Sequence, residues 1–304
     1  MKVRILLSTY NGEKYLREQI ESIISQTYKE WELTVRDDGS SDNTVQILEQ
    51  YCVKDNRITI IKGKNVGVVQ SFYELVKYDS SDYYFFCDQD DVWLPEKLEI
   101  ILKEAKKHDN SKPILYHNDL KVVNNKLETI REKFARPVNE FSQELVRNFV
   151  TGCASAINAP LAELWDTTDN VIMHDYFLAQ IASFTGKTVF IDKPLQLYRQ
   201  HENNVWGLHK PRRIESFFKG ERPIKDFWSQ LYINQKQAEN LLKYKQFCSE
   251  EDWTILNDFL SLNEQNIFKR LIFLRKHRLI IDNQVSFWIF NLMLFTHFGY
   301  KKLR

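Results

Sequence analysis

Long hydrophobic runs are missing from this chain. Residues 285–298 form the longest apolar stretch near the end, and Asn291 and His297 interrupt it. A membrane-spanning helix needs about 18 or more such residues, so no span is expected. The opening run Ile5-Leu6-Leu7 stops at Ser8-Thr9-Tyr10-Asn11-Gly12, which excludes a signal-peptide reading and points to the cytoplasm. Cysteine is scarce: Cys52, Cys87, Cys153 and Cys248 lie far apart with no CxxC pair, so small buried thiols are expected in place of a disulfide or zinc framework. Net charge is also nearly absent, at +1, and no nucleic-acid partner is expected. Internal repeats and low-complexity segments are lacking too.

What is present is ordinary globular material, 43% apolar and 27% charged, with many aromatics: 7 Trp, 14 Tyr and 20 Phe. The neutral total hides an asymmetry. Residues 266–304 carry Lys269, Arg270, Arg275, Lys276, Arg278, Lys301, Lys302 and Arg304 against one acid, Asp282. The rest of the chain is therefore acidic, and the two parts are expected to meet different partners.

The first hundred residues alternate two hydrophobic periods. Short apolar runs at 3–7, 31–35, 57–61 and 83–87 read as strands. Helical spacing follows each one: Tyr15, Leu16, Ile20, Ile23 and Ile24; then Val45, Ile47 and Leu48 behind an Asp42 or Asn43 cap; then 68–78; then a helix opened by Pro95. This alternation predicts an α/β fold with a mainly parallel sheet covered on both faces. Ligands bind beyond the carboxyl ends of such strands, which groups loops 8–12, 36–41, 62–67 and 88–91 around one crevice. Residues 114–200 read as mixed strands and helices, with 174–184 the clearest helix. Beyond Gly207 the chain turns helical and charged, and Gly207, Pro211, Arg212 and Arg213 mark a boundary that divides 1–208 from 209–304.

Asp88-Gln89-Asp90-Asp91 follows the fourth strand. Three carboxylates there repel one another, and a hard cation such as Mg²⁺ or Mn²⁺ would take their oxygens and share them with a substrate phosphate. Arg36-Asp37-Asp38-Gly39-Ser40-Ser41-Asp42 follows the second strand, where an Asp can accept the imino N–H of a pyrimidine and Gly39 permits a tight turn. Tyr10 can stack on a base, and Thr9 can bind the base or ribose. Each motif alone also reads as an ordinary turn or helix cap.

In sequence order, these motifs together with Asn65-Val66-Gly67, Phe86-Cys87-Asp88-Gln89-Asp90-Asp91-Val92-Trp93, Thr151-Gly152-Cys153, His174-Asp175 and Tyr198-Arg199-Gln200-His201 resemble glycosyltransferase family 2 over roughly residues 1–205. The wording of the Asp-Gln-Asp-Asp-Val-Trp and Arg-Gln-His-Glu-Asn-Asn-Val segments is similar to its rhamnosyltransferase-like branch, which builds bacterial cell-wall, capsule and O-antigen polysaccharides. The resemblance implies a Rossmann-like GT-A fold, with a nucleotide-sugar half at about 1–110 and an acceptor half at 111–208. It also implies an inverting transfer from a dTDP- or UDP-linked sugar, dTDP-rhamnose foremost, to a saccharide that is free or lipid-linked.

On the donor side the resemblance implies Thr9, Tyr10, Asn11, Asp37, Asp38, Asn65, Gly67, Asp88 and Gln89. For the metal it implies Asp90 as direct ligand, Asp88 at the ribose or a metal-bound water, and His201. Asp175 would be the base, and a helix start favours the negative charge a base needs. Gly152, Cys153, His174 and Trp93 would face the acceptor, with Tyr198 and Trp206 as further aromatic walls. The alternatives are a nucleotidyltransferase, which would want a glycine- and lysine-rich first loop, and a non-catalytic sugar-nucleotide-binding partner. A haloacid-dehalogenase-type phosphatase would need its Asp-x-Asp on the first strand. The basic, apolar 268–281 segment is expected to contact an anionic membrane surface at the inner face of the cell membrane, or else to pack as a helical annex on the catalytic domain or against a second copy.

Overall fold

The computed structural model describes residues 1–137, 140–201, 222–277, 279, 284–297 and 300. Strands β1 (Val3–Thr9), β2 (Glu32–Asp37), β3 (Ile58–Lys62) and β4 (Tyr83–Cys87) alternate with helices α1 (Leu16–Ile24), α2 (Thr44–Lys54) and α3 (Val68–Tyr78). The helix at 68–78 and the strand at 83–87 match the sequence reading to the residue. Short β5 (Val92–Trp93) and α4 (Lys97–Ala105) follow. Next come β6 (Ile114–Val123), β7 (Thr129–Arg131), α5 (Phe141–Glu144), β8 (Ser155–Asn158), α6 (Ala159–Leu164), α7 (His174–Thr185) and β9 (Lys187–Arg199). Helices α8 (Arg222–Glu239), α9 (Glu250–Leu260), α10 (Ile267–Lys276) and α11 (Gln284–Thr296) complete the chain.

One sheet runs β3-β2-β1-β4-β8-β6-β9-β5, with β7 beside β6. The β3-β2-β1-β4 half is parallel throughout. Strands β1, β2 and β4 are buried on both faces, as continuous runs such as Tyr83–Cys87 require, and the edge strand β3 is partly exposed. Antiparallel pairing enters after Cys87, where β8 joins β4 to β6 and β9 carries β5. This stacks the carboxyl ends of β1, β2 and β4 on one edge, and β9 brings residues 199–201 back towards them.

Two cores flank the sheet. One gathers Ile5, Leu7, Ile20, Leu33, Phe85 and Leu98. The other runs from Leu6, Phe72 and Phe86 through α7 into Trp228, Leu241, Leu256 and Phe259. The carboxyl-terminal helices therefore pack on the first part of the chain. Side chains tie them further: Gln237 donates to Gln180 Oε1 at 3.0 Å, and Asn234 donates to the Val146 carbonyl at 3.1 Å. The 208/209 boundary, with Gly207, Pro211, Arg212 and Arg213, lies outside the described residues. No helix among the described residues is long and apolar enough to cross a membrane. All four cysteines are free, with Cys87 and Cys153 buried.

On β6, His117 is 1% exposed and neither ring nitrogen has a partner among the described residues. Burial pushes its pKa down to about 4. The unfolded chain takes up this proton near pH 6.5 and the folded chain only near 4, so stability falls as pH drops through that window, by about 3 kcal/mol in all. His117→Phe keeps a ring against Phe190 and removes the titration. Urea unfolding at pH 7 and pH 4.5 should show the variant losing less stability than wild type; equal losses would exclude His117 as the cause.

Candidate active site

The four loops predicted to share a crevice are bonded to one another. Tyr10 N donates to Gln89 Oε1 at 2.9 Å, and Gln89 Nε2 returns a bond to Tyr10 O at 3.1 Å, joining the ends of β1 and β4. A Cβ at Gly12 would lie 2.2 Å from Gln89 Oε1, so this approach needs glycine. Asn11 N donates to Ser40 Oγ at 2.9 Å, and Asn11 Oδ1 accepts from Ser41 N at 2.9 Å.

Asp37 and Asp38 are buried, and a buried carboxylate must be hydrogen-bonded. Asp37 accepts from Gly39 N, Ser40 N, Ser40 Oγ and Thr9 Oγ1. Asp38 accepts from Arg36 Nη1, Gly67 N and, at both oxygens, Val66 N. Both carboxylates hold the crevice's loops in shape, and the Thr9 hydroxyl is part of that scaffold. None of the three extends a free group to a base. The same correction applies to Gln89, whose amide is engaged by Tyr10. Tyr10 is 49% exposed, and Asn65 and Gly67 are exposed as well.

The acidic loop is sorted by burial. Asp91 is fully buried and accepts from Arg199 N at 3.0 Å and Gln196 Nε2 at 3.1 Å. Asp90 meets His201: Nε2 lies 2.7 Å from Oδ2, across 111 residues of chain. Burial first, and then the charges of Asp90 and Asp175, push the Asp88 carboxyl up to about 7. That mutual repulsion is what a cation relieves. Ligand atoms of Asp88, Asp91 and Cys153 lie within 4.8 Å of one another. Asp91 is already bonded within the fold, however, and a thiol is soft, so Mg²⁺ or Mn²⁺ suits Asp88, Asp90 and the His201 imidazole better.

Arg199, a residue for which the sequence reading had no role, builds this corner. Its side chain is 1% exposed. It donates to Asp90 O at 2.8 Å, Asn125 O at 2.9 Å and Glu18 Oε2 at 2.5 Å, with its guanidinium 4.5 Å from the Tyr15 ring centre. A cation at the end of an apolar strand was the available signal, since burial there demands such partners.

Asp175, at the start of α7, is 7% exposed, and its Oδ1 accepts from Tyr176 N at 2.8 Å. Gly152 passes beside it: a Cβ there would sit 3.5 Å from Asp175 Oδ2 and 2.7 Å from His174 Nε2. Behind Asp175 lies a second residue missed in the sequence, Glu144, fully buried with neither carboxylate oxygen partnered among the described residues. Burial, reinforced by the charge of Asp175, pushes its pKa well above its ordinary value.

Three expected acceptor contacts are packing residues instead. Trp93 is 1% exposed, against Phe85 and with Lys97 Nζ 3.8 Å from its ring centre. Cys153 is 1% exposed, its Sγ accepting from Gln196 Nε2 at 3.0 Å. His174 lies under Gly152, stacked on Phe72 at 4.3 Å and Phe86 at 5.1 Å. Tyr198 packs its ring towards Phe134, and Trp206 lies outside the described residues. Apolar residues beside a motif go where the core needs them, and sequence alone does not say which side of the loop that is.

Residues 4–165 match the family description Glycosyl transferase family 2. The chain belongs to that family. A relative of this transferase, the dTDP-rhamnosyl transferase RfbG of Shigella flexneri, is 29% identical over 220 residues, 66% of this chain and 73% of its own. A second, the UDP-Glc:alpha-D-GlcNAc-diphosphoundecaprenol beta-1,3-glucosyltransferase WfgD of Escherichia coli, is 33% identical over 157 residues, 51% of this chain and 59% of its own. Among solved structures, S. aureus TarS 1–349 covers 97% of this transferase and 80% of its own chain at TM-score 0.56 and 18% identity. GalNAc-T7, solved with UDP, GalNAc and Mn²⁺, covers 87% of this transferase and 58% of its own chain at TM-score 0.57 and 14% identity. The fold is the GT-A fold of these glycosyltransferases.

Proposed function

We propose that this transferase moves rhamnose from dTDP-rhamnose, with inversion, to a hydroxyl of a lipid-linked saccharide in the assembly of a bacterial surface polysaccharide. What carries the reading is the meeting of Asp90 with His201, beside Asp88 and within electrostatic reach of Asp175. The rhamnose reading is supported by the Shigella relative, and the lipid-linked acceptor by the diphosphoundecaprenol in the name of the E. coli one.

Asp88, Asp90 and His201 would hold a divalent cation, which supplies positive charge for the leaving diphosphate. The chain's own groups do the rest. The exposed Tyr10 ring stacks on the base, and Gln89 fixes the backbone of that residue. Arg199 holds the Asp90 carbonyl so that the carboxylate keeps its place. Asp175 takes the proton of the acceptor hydroxyl as that oxygen attacks the sugar carbon in a single displacement. Gly152, lacking a side chain, leaves the edge of Asp175 open to that hydroxyl. A protein that only bound the nucleotide sugar would have no use for such a base.

A donor panel tests the reading. The purified chain, given Mn²⁺ and an extract of polyprenyl-linked saccharides, should consume dTDP-rhamnose at least about tenfold faster than UDP-glucose, UDP-GlcNAc or GDP-mannose, a ratio worth about 1.4 kcal/mol. Preference for a UDP-sugar would overturn the rhamnose assignment and leave the transferase standing.

A further inference from the structure

Helix α10 turns large apolar side chains away from the protein. Asn266 caps it, accepting from Lys269 N at 3.0 Å. On its inner face Phe273 and Arg270 are buried, and Arg270 donates to the carbonyls of Gln265 and Phe295. Arg270 is therefore a packing residue and leaves the basic surface expected for this segment; Arg278, Lys301, Lys302 and Arg304 lie outside the described residues. At about 100° per residue, Phe268 and Ile272 fall on the outer side of the helix. They are 73% and 63% exposed, and Ile267 at the first turn is 41% exposed. Lys269, Arg275 and Lys276 are exposed around them, and α10 contains no acid.

A helix packed on a protein by one face ordinarily shows water a polar opposite face. Here the opposite face pairs two bulky apolar residues with three cations, the composition of a helix that lies in a lipid interface. We propose that α10 is a membrane-docking helix, with Phe268 and Ile272 entering the acyl boundary of an anionic leaflet and Lys269, Arg275 and Lys276 meeting its phosphates. Charge decides the occupant. A two-fold contact with a second copy through this face would set three cations against three cations, whereas an anionic leaflet complements them and attracts each cation. The inference stands apart from the donor assignment, because binding to lipid is measured without any sugar nucleotide.

The test is sedimentation of the full chain with phosphatidylcholine vesicles made with and without phosphatidylglycerol. Wild type should bind the vesicles containing phosphatidylglycerol, and added salt should weaken the binding. The triple variant Lys269→Gln, Arg275→Gln, Lys276→Gln should bind about 100-fold more weakly, at roughly fivefold per cation. Phe268→Ser with Ile272→Ser should lose at least about tenfold. These positions are exposed, and both variants should keep wild-type melting and Mn²⁺-dependent donor turnover. Absence of wild-type binding to phosphatidylglycerol vesicles overturns the proposal, as does unchanged binding by both variants. Conversion of a wild-type dimer to monomer by Phe268→Ser with Ile272→Ser, with vesicle binding intact, overturns it in favour of an interface between copies.

Discussion

Asp175→Asn should lower sugar transfer by about 10²–10⁴-fold while donor affinity stays near that of wild type. The reasoning follows from the two oxygens of this carboxylate. Oδ1 accepts from Tyr176 N at 2.8 Å, a bond that an asparagine carbonyl also makes, so the start of α7 is preserved. Oδ2 faces the space beside Gly152. An amide there fills the same volume and cannot take a proton. A single displacement requires the acceptor hydroxyl to be deprotonated as it attacks, so the whole loss should fall on the chemical step. Single-turnover transfer, alongside titration of the nucleoside diphosphate, separates the two quantities. Glu144 provides an internal control: it is buried, burial and the charge of Asp175 raise its pKa, and Glu144→Gln, which keeps its shape, should retain most of the rate. A normal rate in Asp175→Asn would move the base elsewhere.

Metal removal should have an effect of comparable size. EDTA should abolish transfer and Mn²⁺ or Mg²⁺ restore it. Asp90→Ala should remove about 10²-fold or more, since preorganised charge at a developing anion is commonly worth that much. The variant should remain folded. The Asp90 carboxylate meets His201, while Arg199 holds the Asp90 carbonyl, Asp91 and Glu18, contacts that the substitution leaves in place. Full activity in EDTA would contradict a metal role for the Asp88–Asp90–His201 corner.

The parallel half of the fold was legible because its signals are local. Tyr83–Cys87 is an unbroken apolar strand, and Val68–Tyr78 carries a helical stripe between Gly67 and Asp79. The loops at their ends were likewise legible as one crevice, because strand order places them together. Long-range matters were not. β8 has only four residues, and its antiparallel entry between β4 and β6 leaves no periodic trace. Whether Trp93 and His174 face a sugar or a core depends on Lys97, Phe72 and Phe86, which tertiary packing alone brings near. Asp38 illustrates the intermediate case. Its position at the crevice was readable, but its bonds to Val66 and Gly67 depend on how the 62–67 loop returns past β2.

The most direct measurement of the central claim is Mn²⁺ binding followed by electron paramagnetic resonance, in the presence of dTDP or UDP. Wild type should remove one equivalent of Mn²⁺ per chain from the free signal. Asp90→Ala should leave that signal close to its protein-free intensity, and His201→Ala should weaken binding. Because the Asp88 carboxyl is pushed up to about 7, protons compete with the metal, and wild-type binding should weaken as pH falls from 8 to 6. An undiminished free signal with wild type, or equal depletion by wild type and Asp90→Ala, would contradict the assignment of this corner as the metal centre.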